Sequence, residues 1–290
     1  MANPGPRREA MKKRSGIGCQ ILVLVLLCLS TSAFAQKREP DIFFAPTPQV
    51  AVEVMLKLAE VKENDLVYDL GCGDGRFVIT AAKKFGARGV GVDIDPVRVE
   101  ESTRNAKEQG VSSRVRFFEG DLFETDIREA TVITLYLLTE LNLKLRPKLL
   151  SELRPGSRVV SYAFGMGDWK PDREGVDRGD GYYCWVIPAK VAGTWQWSFP
   201  GLGPEQRYQL RLQQKYQETD GHLRFQEKES KLLKPKLEGD RLSFEVVSEY
   251  QGQPASLHFD GRVSGDRITG HVDVLGSSSK VTLVWNATRL

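Results

Sequence analysis

Apolar and polar positions keep one rhythm through the middle of the chain and another through its C-terminal part. Between residues 49 and 163, short apolar runs alternate with segments whose apolar residues recur at i, i+3, i+4 and i+7. The runs at 66–70, 89–93, 115–119, 130–136 and 157–163 read as buried strands. The periodic segments read as helices: 49–61 with Ala51, Val54, Met55 and Leu58 on one face, and 76–85 with Val78, Ala81, Ala82 and Phe85. A third helix starts at Asp95-Pro96, an N-cap and first helical residue, and stops at Gly110, and a fourth covers 141–153. Strand and helix in alternation predict a parallel sheet covered by helices. A polar loop at 171–181 then leads to an antiparallel edge strand at 182–188.

From about residue 190 the period becomes two. Tyr208, Leu210 and Leu212 alternate with polar neighbours, as do Leu242, Phe244 and Val246, and Asp220-Gly221 reads as a turn between strands. The segment 237–243 recurs 26 residues later as 263–269, each built around Gly-Asp-Arg. Two hairpins of one design imply an antiparallel meander, a small barrel or sandwich. Trp195 and Trp285 read as its core in preference to a binding platform.

Candidate chemistry gathers in Val67-Tyr68-Asp69-Leu70-Gly71-Cys72-Gly73-Asp74-Gly75, where a strand gives way to a helix. Its glycines permit positive φ and close approach of a ligand. The spacing is G-x-G-x-G, unlike the G-x-G-x-x-G turn that seats a pyrophosphate. Asp69 before it and Asp74 within it suit a cation with hydroxyl and amine donors. The next strand ends in Asp93, 22 residues after Gly71, and the third leads to Asp121. Ligands of open parallel sheets sit at the carboxyl ends of the strands, so Asp69, Asp93 and Asp121 converge.

This constellation resembles the class I S-adenosylmethionine-dependent methyltransferases over residues 43–190. The resemblance implies an α/β fold, a Rossmann-like seven-stranded methyltransferase sheet followed by the small antiparallel β barrel or sandwich. It implies S-adenosylmethionine as cofactor, the methionine part held by Asp69, Gly71, Gly73, Asp74 and Gly75, the ribose by Asp93 and the adenine amine by Asp121. Pro46-Thr47-Pro48 before the first helix resembles bacterial relatives of the ATP synthase c-subunit lysine methyltransferases. In such a protein the Phe43 to Pro48 segment lies over the cofactor, although Phe43 and Phe44 equally suit a core cap.

The fourth strand is where such enzymes face their acceptor. It ends Thr134-Leu135-Tyr136-Leu137, without the Asn/Asp-Pro-Pro-aromatic run of base-amine methylation or the Pro-Cys of cytosine methylation. Tyr136 and Glu140 are the candidate catalytic residues, with Asn142 as a further polar group. Methyl transfer is an in-line displacement that depends on alignment and exclusion of water. An amine acceptor must arrive neutral, which Tyr136 or Glu140 favours by accepting a proton. Trp169 has two readings, acceptor-pocket wall or core closure.

The N-terminal stretch changes the compartment. Arg7, Arg8, Lys12, Lys13 and Arg14 precede an apolar run at 21–29 and a small-x-small site, Ala33-Phe34-Ala35. Nine apolar residues fall short of the ~20 that span a bilayer. This predicts a signal peptide over 1–35, with membrane contact during export alone and a periplasmic or secreted product. Its removal takes away five basic residues and Glu9 and turns the formal charge of +3 to about −1, which leaves no bulk charge for nucleic acid. Of four cysteines only Cys72 and Cys184 remain, read as buried and unpaired, and the histidines lack metal-ligand spacing.

The expected organisation is a signal peptide at 1–35, a methyltransferase domain at 36–190 and an all-β accessory domain at 191–290. The expected activity is methyl transfer to an amine, a protein lysine by resemblance. A small-molecule or lipid acceptor, and a non-catalytic S-adenosylmethionine-binding exported protein, are the alternatives.

Overall fold

The computed structural model describes residues 1–3, 5, 44–177, 179–199, 207–250, 253–276 and 280–290, so the basic stretch, apolar run and cleavage site of the expected signal peptide lie outside the described residues. The remainder forms two sheets within one compact unit.

The first sheet alternates with helices as the periodicity predicts. Its elements are α1 (Gln49–Leu58), β1 (Leu66–Leu70), α2 (Arg76–Phe85), β2 (Arg88–Asp93), α3 (Pro96–Glu108), β3 (Val115–Glu119), β4 (Val132–Leu135), α4 (Thr139–Glu152) and β5 (Arg158–Tyr162). Two further strands, β6 (Arg173–Asp177) and β7 (Asp180–Val186), complete it. Strands β1 to β5 are parallel, and the order is β3-β2-β1-β4-β5-β7-β6. β7 is antiparallel to β5, as expected, but it is not the edge. The stretch read as a polar loop contains β6, which pairs outside β7. An edge strand with a wet face needs no apolar alternation, so its sequence looks like a loop.

Each face of the sheet carries its own core. Val67, Val132, Val160 and Tyr162 point to α1 and α2, whereas Tyr68, Ile133, Leu135 and Val159 point to α4. Asp65, 5% exposed, locks the amino ends of β1, β4 and β5: it takes the Thr131 hydroxyl at 2.7 Å, the Lys62 N–H at 2.8 Å and the Arg158 guanidinium at 2.7 Å. Burial raises its carboxyl, but these bonds outweigh burial and hold it below the usual range. Arg158→Met is expected to cost roughly 2 kcal/mol in urea unfolding near neutral pH, under the ~3–5 of fully buried pairs because Arg158 is partly wet. A lowered carboxyl stabilises above its unfolded pKa, so the difference should shrink as the pH falls below about 4.

The second sheet has nine antiparallel strands: β8 (Gly193–Ser198), β9 (Arg207–Lys215), β10 (Glu218–Phe225), β11 (Lys228–Lys231), β12 (Leu233–Glu238), β13 (Arg241–Tyr250), β14 (Gln253–Ser264), β15 (Arg267–Leu275) and β16 (Lys280–Arg289). Their order is β11-β10-β9-β8-β16-β15-β14-β13-β12, and β10 lies against β12, so the sheet nearly closes into a barrel. Tyr208, Leu210, Leu212, Leu242, Phe244 and Val246 line its interior, and Trp195 and Trp285 are fully buried there. The repeated segment forms two equivalent turns, with Gly239 and Gly265 at φ 58° and 57°. The Asp240 carbonyl accepts from Val263 and the Asp266 carbonyl from Arg289, while their carboxylates pair with Arg262 and Arg289.

Asp220-Gly221 is not a turn. It lies within β10, where a Cβ on Gly221 would stand 2.1 Å from the Arg211 carbonyl oxygen, so the glycine serves close strand approach. The actual β9–β10 turn is Tyr216-Gln217, which docks on the first sheet. Gln217 accepts the Trp169 indole N–H at 2.8 Å, and the Tyr216 ring stacks on Trp169 with centroids 5.6 Å apart.

Candidate active site

The glycine loop is shaped by its backbone and hung from β2. Gly71, Gly73 and Gly75 have φ of 85°, 51° and 82°, conformations that side chains oppose. The Gly71 and Cys72 N–H groups donate to the Val92 carbonyl at 2.8 and 2.9 Å. Asp93 then ties three segments together. One carboxylate oxygen takes the Gly73 N–H at 2.8 Å, the other the Asp95 N–H at 2.9 Å, and its carbonyl takes the Gly120 N–H at 2.9 Å. Asp121 follows Gly120 and accepts the Phe123 N–H at 2.8 Å. Asp69, Asp93 and Asp121 therefore stand at the carboxyl ends of three neighbouring strands, on segments linked by Asp93.

Asp74 is engaged differently. Its carboxylate forks onto the Arg76 guanidinium, with Nε at 2.9 Å, and the same guanidinium reaches the Thr47 carbonyl. Asp74 thus anchors the strap at 44–48 that leads into α1. Phe44, 43% exposed, lays its ring on Gly73, where a Cβ would lie 2.1 Å from it, and the Arg98 guanidinium sits 4.5 Å from the ring centroid. The strap thus rests on the loop itself; Phe43 lies outside the described residues.

Asp69 is 3% exposed and faces Thr134 across the β1–β4 pair. The Thr134 hydroxyl donates to it at 2.6 Å. Burial pushes the Asp69 carboxyl up to about 8, and the charges of Asp93 and Asp74 add to the rise, outweighing Thr134 and Arg76. An enclosed carboxyl beside a glycine-rich loop fits a ligand with cationic groups. Thr134 is the residue that sequence reasoning missed. Its signal was parity: it alternates with buried Val132 on the same face, and a polar residue there needs a partner.

Cys72 and Cys184 are buried and unpaired. Burial raises both thiols, Cys184 to about 11, so neither is a nucleophile near neutral pH. Among the described residues no group of His, Cys, Asp and Glu side chains could hold a metal ion.

On the acceptor side, Tyr136 follows β4 with the parity of Thr134. Its partly buried ring meets Tyr162 edge-on at 4.9 Å and lies nearly parallel to Phe164 at 6.2 Å. Glu140 is exposed in the first turn of α4. Asn142 is fully buried beneath the turn after β5. Trp169 is 1% exposed and closes the core.

A sheet in this order, a glycine loop after its first strand and acids closing three neighbouring strands define a class I S-adenosylmethionine-dependent methyltransferase. Residues 69–173 match the sequence model of the ANTKMT methyltransferase domain. A protein-lysine N-methyltransferase of Saccharolobus islandicus is 49% identical over 133 residues, 46% of this chain and 83% of that protein. The human lysine N-methyltransferase named for the ATP synthase c-subunit is 33% identical over 137 residues, 46% of this chain and 58% of that protein. The crystal structure of an RNA methyltransferase from Salinibacter ruber, in complex with S-adenosyl-L-homocysteine, is 56% identical over 51% of this chain and 96% of that one, with a TM-score of 0.50. The chain belongs to the methyltransferase family that carries the ANTKMT domain, and it is an enzyme that uses S-adenosylmethionine.

Proposed function

We propose that the protein methylates the side-chain amine of a lysine in a protein acceptor. The observation that carries this reading is the aromatic group Tyr136, Tyr162 and Phe164 on the sheet face that holds Asp69, within the stretch matched to the ANTKMT domain. Two relatives named for lysine methylation support it. The Salinibacter ruber relative is named for RNA. The acids that close the next two strands after β1, Asp93 and Asp121, oppose a phosphate backbone and favour a basic side chain.

Bound S-adenosylmethionine supplies the electrophilic methyl group. Asp69 and the glycine loop hold its methionine end, Asp93 its ribose and Asp121 its adenine, while the Phe44 strap excludes water. In this reading Tyr136 lines the approach of the amine, and Glu140, exposed in the first turn of α4, receives the proton of an incoming ammonium. The barrel acts as an accessory body that buttresses the segment around Trp169. Export, for which residues 7–35 speak, puts the reaction outside the cytoplasm, and N-terminal sequencing of the mature protein should begin at Gln36.

The activity is tested by incubating membranes and the exported protein fraction with enzyme and tritiated S-adenosylmethionine. Label recovered in methyl-lysine after hydrolysis is the expected result. Label in extractable lipid or small molecules would replace the acceptor, and no label with intact cofactor binding would leave a binding protein.

A further inference from the structure

The turn after β5 is built at a cost that strand closure does not explain. Ala163 sits at φ 62°, in the left-handed region, although it is not glycine. The Phe164 N–H donates to the Tyr162 carbonyl at 2.7 Å, closing a three-residue turn of the rarer, strained hand. Several groups hold it there. The Ala163 N–H donates to the Gly181 carbonyl at 2.8 Å, and the Ser161 hydroxyl to the Phe164 carbonyl at 2.7 Å. The Asn142 amide donates to the Phe164 and Gly165 carbonyls at 3.2 and 3.3 Å. Asn142 is fully buried, and its side-chain oxygen has no partner among the described residues. A buried amide left half-satisfied and a side chain at positive φ both persist where geometry serves a site.

That geometry brings Phe164 beside Tyr136. Both rings are partly exposed, their planes 24° apart, and they stand on the face shared with Thr134 and Asp69. Tyr162, beneath them, is 5% exposed and donates its hydroxyl to Asp180, which is itself exposed. Aromatic faces beside an exposed carboxylate attract an ammonium and its methylene stem.

We propose that the Tyr162-Ala163-Phe164 turn is an acceptor clamp, in which Phe164 and Tyr136 receive the cationic side chain of the acceptor while Asn142 and Asp180 position them. This rests on the lysine reading above. Phe164 and Tyr136 are the binding residues of the clamp; Ala163, Asn142, Tyr162 and Asp180 act through them.

The test uses the full-length enzyme with graded dilutions of the exported protein fraction as acceptor. Phe164→Ala should raise the acceptor KM by about tenfold, the size of one cation–π contact, with S-adenosylmethionine affinity by calorimetry within about twofold of wild type. Choline chloride should inhibit competitively against acceptor and not against cofactor, its neutral isostere 3,3-dimethylbutan-1-ol should not, and Phe164→Ala should lose this inhibition. Ala163→Gly separates positioning from support: relief of strain should raise the melting temperature while the acceptor KM also rises. An unchanged KM in Phe164→Ala, or a more stable Ala163→Gly enzyme with wild-type KM, overturns the clamp and leaves the lysine reading standing. A wild type that labels no protein removes the lysine reading first.

Discussion

Replacing Asp93 with alanine is expected to raise the dissociation constant for S-adenosylmethionine by at least about 100-fold, or about 2.7 kcal/mol. The carboxylate has two duties. It accepts N–H bonds from Gly73 and Asp95, and so sets the curve of the glycine loop against β2. It is also the acid assigned to the ribose, so its loss removes a ligand contact and leaves the Gly73 N–H to find another acceptor. Asp95, two residues on, is the control. Its side chain caps α3 by accepting the Val97 N–H at 2.9 Å, so Asp95→Ala should cost about 1 kcal/mol of stability with cofactor affinity nearly unchanged. Calorimetry on both variants decides the matter: if Asp93→Ala binds within a few-fold of wild type, the ribose lies elsewhere.

The fold was legible where burial imposes a period. Strands β1, β2 and β4 are apolar because both faces are covered, and the glycine loop announces itself by residue type alone. β6 was not legible, since Arg173 to Asp177 is a polar edge strand held by pairing with β7. Gly221 misled for a related reason. A glycine beside an aspartate reads as a turn, whereas here the missing Cβ lets Arg211 of β9 come close. Local composition does not say whether a glycine bends a chain or admits a neighbour.

The candidate site was legible in its acids and obscure in what restrains them. Asp69, Asp93 and Asp121 close successive strands, which sequence order shows directly. That Thr134 stands opposite Asp69 depends on β4 lying beside β1, a fact of sheet order and not of spacing. Asp74 carries the same signal as Asp69 in the loop, yet Arg76 two residues later claims it. The strained turn at Ala163 had no sequence mark, because alanine is a residue little expected at positive φ.

The enclosed state of Asp69 makes both stability and cofactor affinity depend on pH, with opposite signs. An unfolded aspartate ionises near 3.9, whereas in the folded protein burial pushes this carboxyl up to about 8. Between these values the folded chain holds a proton that the unfolded chain has released. Stability therefore falls as the pH rises, by up to about 1.4 kcal/mol per unit, or about 4 kcal/mol from about pH 5 to about pH 8. Asp65, lowered by its partners, is already ionised over this range and adds no slope. The ligand-free enzyme should lose roughly 10 °C of melting temperature across that window, and Asp69→Asn should remove most of the loss, the rest coming from Asp172, whose carboxyl burial also raises. A ligand carrying a sulfonium and an ammonium favours the carboxylate form, so binding expels the proton. Affinity for S-adenosylmethionine should then climb by up to about tenfold per unit below about pH 8 and level off above it. Thr134→Val removes the hydrogen bond that steadies the carboxylate and should move that plateau to higher pH, with Thr134→Ser restoring it. A melting temperature that stays flat across the same window in the ligand-free enzyme would show Asp69 already ionised, and the charge it is held to reserve for the cofactor would be balanced from within the protein.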